Sequence, residues 1–95
     1  MKYEWDAMKS LENVQKHGVS FDEAVEVFDD PFLISILDRR FDYYEERWIT
    51  IGTVRKHMII VIGHLYSVTE DGEEVIRIIT ARKATGKEIE EYEKP

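Results

Sequence analysis

The sequence contains no cysteine, so a disulfide framework and a thiolate metal site are both excluded. It also lacks internal repeats, linkers and low-complexity segments. No apolar run approaches the roughly 18 residues of a membrane span, and the amino terminus lacks the apolar core of a signal peptide. With 43% hydrophobic residues, we expect a folded, cytoplasmic single domain over residues 1–95, without a cofactor or a metal ion.

Basic side chains are in the minority, with 13 Lys and Arg against 20 Asp and Glu, and the net charge is −7. This balance argues against broad binding to nucleic acid. The distribution is uneven, because residues 39–87 hold nine basic side chains against seven acidic ones. A local site there can bind phosphate although the whole molecule repels it. The alternative is that these basic residues are solvated surface charges.

Two helices are predicted in the first third of the chain, after a short edge strand at residues 2–5. The first spans residues 7–17, and the second begins at Phe21 and ends before Asp30. The capping residues are Asp6 and Gly18 for the first helix, and Ser20 with Glu23 for the second. Both apolar stripes are expected to form core: Ala7, Met8, Leu11 and Val14, then Phe21, Ala24, Val25 and Phe28.

The remainder of the chain is rich in β-branched and aromatic residues, which indicates strands. The four predicted strands cover residues 32–38, 47–54, 58–68 and 74–82. Asp71 and Gly72 give the strongest hairpin signal. Thr85 and Glu88 form a capping-box pattern that opens a short final helix through Tyr92. The order of elements predicts an α+β domain with an antiparallel sheet, two helices on one face and a short C-terminal helix.

The hairpin turn decides which side chains share a face of the sheet. If Asp71–Gly72 is a two-residue turn, Tyr66 lies opposite Arg77. His64, Tyr66 and Arg77 would then form a cross-strand cluster on one face, and Arg82 would lie at the strand end of the other. The helices are expected to cover that other face, which carries Ile59, Val61, Leu65, Ile76 and Ile78.

Arg77 lies in VIRIITARKA, the most apolar stretch of an acidic chain. A guanidinium group presents a planar fork of donors that suits a phosphate. The alternative is a surface arginine that lays its stem on the sheet and pairs with an acid such as Glu46. For Arg82, the residues alone favour a structural role. A metal site is not predicted, because the three histidines are scattered.

Several stretches resemble the BrnT toxins of bacterial type II toxin–antitoxin systems. They are YEWD at 3–6, Asn13 with KHGVSFDEAVEVF at 16–28, EERWITIG at 45–52, RIITARKA at 77–84, and the closing Glu88 and Tyr92. KHGVSF and RIITAR at this separation make the resemblance specific, and it runs nearly end to end. Ala7 stands where proline is common, and Thr80 stands where serine is usual.

The resemblance implies a RelE-like fold and an RNA-cleaving toxin that inhibits translation and growth. It implies a hetero-oligomer with a BrnA-type antitoxin encoded next to the toxin, with contact to DNA through that antitoxin and no membrane attachment. A catalytically silent module that binds an antitoxin or nucleic acid for promoter control is the alternative. The resemblance places functional weight on Lys16, His17, Glu46, Arg47, Arg77 and Arg82.

RNA cleavage without a metal needs a base for the 2′-hydroxyl, cations for the pentacoordinate phosphate and an acid for the leaving 5′-oxygen. The candidates are Arg77, Arg82 and Arg47 for the cations, Glu46 or its rival His64 for the base, and Lys16, His17 or Tyr66 for the acid. The last three could instead position RNA, and Tyr66 could stack a base.

Overall fold

The computed structural model describes residues 1–40 and 45–95. In chain order these residues form β1 (Lys2–Glu4), α1 (Ala7–His17), α2 (Phe21–Ala24), a 3₁₀ helix (Val25–Asp29), β2 (Ile34–Leu37), β3 (Trp48–Thr53), β4 (Ile59–Val68), β5 (Glu74–Lys83) and α3 (Gly86–Glu93). The predicted order is confirmed, although the second predicted helix continues past α2 as 3₁₀ helix. No helix in the described ranges is long and apolar enough to cross a bilayer.

The helix ends follow from local hydrogen bonds that the sequence predicts. Asp6 Oδ1 accepts from two backbone N–H groups in the first turn of α1, at 2.9 and 3.1 Å. Gly18 ends that helix in the left-handed region, with φ of 72°. Ser20 Oγ accepts from the backbone N–H three residues later, at 3.1 Å. Thr85 and Glu88 form the reciprocal capping box that opens α3.

The described strands form one sheet in the order β1-β5-β4-β3-β2. Strands β2 to β5 pair antiparallel, as predicted, whereas β1 pairs parallel with β5. The sheet is therefore mixed. Helices rather than a hairpin follow β1, so its direction is not constrained to be antiparallel. The predicted α+β class is confirmed.

The core lies between the helical layer and one face of the sheet. It contains Val19, Phe21, Ala24 and Val27 from the helical side, and Ile60, Ile62, Ile76, Ile78 and Ala81 from β4 and β5. The prediction for β5 is correct at Ile76 and Ile78. On β4 it is wrong, because alternate residues from Ile60 face the helices instead of Ile59, Val61 and Leu65.

Helix α1 docks through a buried amide. Asn13 Nδ2 donates to the carbonyls of Val19 and Ala81 at 2.8 and 2.7 Å, and Asn13 Oδ1 accepts from the Ala81 N–H at 3.3 Å. The predicted apolar stripe of this helix faces solvent instead, with Met8 65% and Leu11 62% exposed. The expectation that this stripe forms core is wrong, because α1 turns the side that carries Asn13 toward the sheet. There the Asn13 amide satisfies buried backbone groups.

The β4–β5 turn contains three residues rather than two. The Thr69 N–H donates to the carbonyl four residues later at 2.9 Å, and Gly72 occupies the left-handed region with φ of 87°. Tyr66 therefore lies opposite Ile76. The predicted pairing of Tyr66 with Arg77 is wrong for this reason.

A β-bulge interrupts the same pair of strands nearer their middle. Gly63 pairs with Thr80, but His64 pairs with Ile78, so Ile79 is an extra residue on β5. A Cβ atom at Gly63 would lie 2.7 Å from Thr80 Oγ1. Beyond the bulge, toward the end of β5, the pairing returns to the predicted register. Because of this extra residue, each side chain of β5 after the bulge lies on the face opposite to the one that regular alternation from the first half would give it.

Candidate functional site

Arg77 and Arg82 lie on one face of the sheet, the side away from the core. They are five positions apart, so a regular strand would place them on opposite faces. The extra residue of the bulge returns them to one side, where Arg77 pairs with Leu65 and Arg82 pairs with Val61. We call this surface the arginine face. The predicted placement of Arg82 on the helix-covered face is wrong because the bulge was not foreseen.

Arg82 borders a depression of about 150 Å³ on this face. Arg40 and Arg47 line it as well, so three arginines meet at one place in an acidic protein. Thr80 and the bare backbone of Gly63 are part of its wall. We call it the arginine depression. The structure thus brings together two predicted residues, Arg47 and Arg82.

Arg40 was missed by the prediction. The sequence feature that could have identified Arg40 is the basic pair at residues 39 and 40, which follows a predicted strand and has acidic residues on both sides. Arg40 donates to Asp38 through Nε at 3.1 Å and through the second terminal nitrogen at 3.2 Å. The Asp38 side chain is 6% exposed, whereas that of Arg40 is 63% exposed. The Asp38 carboxylate therefore orients the Arg40 guanidinium group at the depression.

Arg82 is held by α3. Its two terminal nitrogens donate to the two carboxylate oxygens of Glu88 at 2.7 and 2.8 Å. These bonds are the main cause that lowers the pKa of Glu88 to about 2, and they raise the pKa of Arg82. Glu88 also accepts the Thr85 N–H at 2.9 Å, so the capping box and the ion pair share one carboxylate. The orientation of Arg82 is thus set by the start of α3.

Arg77 lines a second depression, of about 320 Å³, together with three carboxylates. We call it the carboxylate depression; its acids are Glu4, Glu45 and Glu46. An Arg77 terminal nitrogen lies 3.6 Å from Glu4 Oε1, and both side chains are more than 40% exposed. Glu46 lines the same depression as Arg77, but the acid within ion-pair distance of Arg77 is Glu4 rather than Glu46. Within residues 1–40 and 45–95, no cluster of three His, Cys, Asp or Glu is arranged to hold a metal ion.

His64 does not share a face with Arg77. It is 4% exposed and its Nε2 lies 2.8 Å from Thr50 Oγ1, beneath the edge of Phe28. Burial lowers the pKa of His64. The predicted cluster of His64, Tyr66 and Arg77 is therefore wrong, because the three-residue turn shifts the register by one residue.

Tyr66 occupies an intermediate position. It projects from the same side of β4 as His64, yet it is also among the residues that line the carboxylate depression. Its hydroxyl donates to Glu74 Oε1 at 2.9 Å, a bond that raises the pKa of Tyr66. Tyr66 thus borders the depression that Arg77 lines.

Lys16 and His17 lie at the carboxyl end of α1, and both are exposed. Neither is among the described residues that line the arginine depression or the carboxylate depression. The structure does not bring them to Arg77 or Arg82, and their functional role stays a prediction.

A family model described as the ribonuclease toxin BrnT of type II toxin–antitoxin systems matches residues 5–88. The chain belongs to the BrnT family. Membership places it among ribonuclease toxins whose systems include an antitoxin partner.

Solved structures agree with this BrnT assignment at the level of the fold. The 1.1 Å crystal structure of the Brucella abortus ribonuclease toxin BrnT matches with a TM-score of 0.58 and 24% sequence identity, covering 90% of this chain and 97% of that chain. A comparison with curated proteins finds no match. The BrnT span contains the whole arginine depression and ends at Glu88, whereas Glu4 lies just before it.

Proposed function

We propose that this chain is an endoribonuclease that holds its RNA along the arginine face. One observation carries the proposal: Glu46 and Arg77 line the same depression, and Arg82 lies on the same face of the sheet. A carboxylate beside a guanidinium group supplies a proton acceptor and an oriented cation. These are the two groups that cleavage of an RNA phosphodiester most needs.

In the proposed reaction, Glu46 takes the proton of the 2′-hydroxyl, and the oxygen attacks the adjacent phosphorus. The bond from phosphorus to the 5′-oxygen breaks, which leaves a 2′,3′-cyclic phosphate and a 5′-hydroxyl. Arg77 donates to the pentacoordinate phosphate as its charge develops. We assign the acid that protonates the leaving oxygen to Tyr66, because it lines the same depression.

Glu46 suits the role of base better than its rival His64. The histidine is buried on the other side of the sheet, and its Nε2 is engaged by Thr50. A base must come within hydrogen-bond reach of the proton that it takes. We assign Arg47 and Arg82 to contacts with the RNA backbone, while Lys16 and His17 stay candidates for positioning it.

We further propose a BrnA-type antitoxin, encoded next to the toxin, as the partner in a hetero-oligomer. A second acidic region supports this, because Glu26, Asp29, Asp30 and Glu93 line one depression of about 540 Å³. Such a surface attracts basic segments of a partner and speeds their encounter. An acidic toxin repels duplex DNA, so the antitoxin would supply the operator contacts. Tight operator binding by the isolated toxin would contradict this division.

The activity is tested with purified protein and RNA in excess chelator. We expect undiminished cleavage with 2′,3′-cyclic phosphate ends, and growth arrest when the free toxin is expressed. Glu46→Gln should lower the cleavage rate about 100- to 10,000-fold, the usual contribution of a general base. Glu73→Gln, an exposed carboxylate at the hairpin turn, is the matched control and should cleave like the wild type.

Two results would overturn the proposal in different ways. Activity that returns only with a divalent ion would replace the metal-free mechanism. Absence of any cleavage, with antitoxin binding retained, would favour the alternative of a catalytically silent module for promoter control.

A further inference from the structure

The arginine face holds two depressions, and they are separate. The arginine depression and the carboxylate depression share none of their described lining residues. Arg82 turns toward Glu88, whereas Arg77 turns toward Glu4. Five residues of a strand span about 15 Å between Cα atoms. The two arginines, placed in this way, do not meet at one phosphate.

The arginine depression is small, with a volume of about 150 Å³. A phosphate group has five heavy atoms, and the depression has room for a group of that size.

The chemistry of the lining selects an anion. Each of its three guanidinium groups carries N–H donors and a positive charge but no acceptor atom, and the Thr80 hydroxyl lines the same depression. The carboxylate of Asp38 is already held by two bonds from Arg40. Arg82 uses two of its five N–H groups on Glu88 and a third on the Lys83 carbonyl at 3.4 Å. Two more N–H groups of Arg82 have no partner among the described residues.

We propose that the arginine depression is a subsite for a second RNA phosphate, distinct from the phosphate that is cleaved, and that Arg40 belongs to it with Arg47 and Arg82. This inference rests on the proposed cleavage at Glu46 and Arg77. The RNA strand then runs along β5 from the carboxylate depression to the arginine depression, and a substrate must be several nucleotides long to use both. Arg40 is an RNA-binding residue in this arrangement and takes no part in proton transfer.

Binding is measured first, with an oligouridylate of about ten nucleotides, within the usual site sizes for single strands, in which every 2′-hydroxyl is replaced by hydrogen. Such a strand cannot be cleaved, so the measurement stands whether or not the protein is a ribonuclease. Arg40→Gln should raise Kd about 5- to 10-fold at low salt, and it should reduce the slope of log K against log salt by about 0.7. Lys83→Gln removes one cation from the opposite side of β5 and should leave the slope unchanged.

Arg40→Gln also removes the ion pair of the nearly buried Asp38. A second pair of variants, at Thr80, therefore separates a loss of binding from a loss of folding. Thr80 is exposed on the wall of the depression, so a new charge there is tolerated. Thr80→Glu should weaken binding of the strand about 10-fold, and Thr80→Lys should strengthen it. Circular dichroism and thermal unfolding check that each variant is folded.

Cleavage then locates the subsite relative to the chemistry. The wild-type KM should fall as the substrate lengthens from a dinucleotide to about ten nucleotides, and Arg40→Gln should remove most of that gain. A loss of kcat on the dinucleotide as large as the loss on the long strand would overturn the proposal, because Arg40 would then act at the cleaved phosphate. An unchanged Kd and salt slope in both Arg40→Gln and Thr80→Glu would also overturn it. Failure of the wild type to cleave would instead reject the proposed function, with the binding result still standing.

Discussion

The bond between Arg82 and Glu88 should contribute measurably to the stability of the domain. We consider Glu88→Gln, which keeps the size of the side chain and its capacity to accept the Thr85 N–H. The substitution removes the charge that meets Arg82 at 2.7 and 2.8 Å. It therefore isolates the ion pair from the helix cap better than alanine would.

The magnitude follows from the pKa of Glu88, which falls from 4.5 to about 2. At about 1.4 kcal/mol per pKa unit, a shift of this size sets an upper limit of about 3.4 kcal/mol. The Arg82 and Glu88 side chains are 34% and 26% exposed, so solvent screening reduces the expected contribution to about 1–2 kcal/mol. Glu88→Gln should lower the urea midpoint by about 1 M, given the usual denaturant dependence of a small domain.

The dependence on pH identifies the ion pair as the cause. A carboxylate whose folded pKa lies below its unfolded pKa stabilises the fold above the unfolded value, and the gain disappears as pH falls through the folded value. The difference between wild type and Glu88→Gln should thus be constant above pH 5.5 and shrink between pH 4.5 and about 2. Urea unfolding at several pH values measures it. Glu91→Gln, whose partner Lys94 is largely exposed, is the control and should change stability little. Equal stability of Glu88→Gln and wild type at pH 7 would refute the reasoning, as would a difference that persists unchanged at pH 2.5.

Two further predictions test the site and the fold. Arg77→Ala should remove toxicity and lower RNA cleavage about 100-fold at equal expression, the usual cost of an oriented donor lost from a transition state. Arg77→Lys should restore little activity, and Arg55→Ala serves as an exposed control. Full toxicity of Arg77→Ala would reject a role at the phosphate. Gly52→Ala should destabilise the fold by about 1–3 kcal/mol, because a Cβ atom there would lie 2.8 Å from Val27 Cγ1 and 3.3 Å from the Val27 carbonyl. A Cβ atom at Gly86 would meet nothing within 4 Å, so Gly86→Ala should be tolerated in the same urea measurement. Equal stability of both variants would contradict the packing argument.

Features set by neighbouring residues could be predicted from the sequence. The caps at Asp6, Gly18 and Thr85 depend on hydrogen bonds within a few residues, and each was found where the pattern indicated. These contacts follow from local geometry.

Features that depend on distant partners were missed. The apolar stripe of α1 predicted a buried side, but the amide of Asn13 reaches the backbone of Ala81, 68 residues away, and reverses the docking. The sequence did not indicate a role for Arg40, because only the fold places it in the same depression as Arg82. A periodic pattern states which residues share a side of an element, and it does not state which side meets the core.

The bulge links the fold to the proposed chemistry more closely than any cap. Arg77 and Arg82 lie five positions apart, an odd number, so their presence on one face requires one irregularity between them. That irregularity lies at Ile79, opposite the point where Gly63 leaves 2.7 Å between a hypothetical Cβ atom and Thr80 Oγ1. A larger residue at position 63 would push the strands apart at the bulge. The three-residue turn, and not the bulge, sets the register that leaves His64 on the buried side and Arg77 on the outer face. One extra residue in β5 therefore brings Arg82 to the face that carries Arg77.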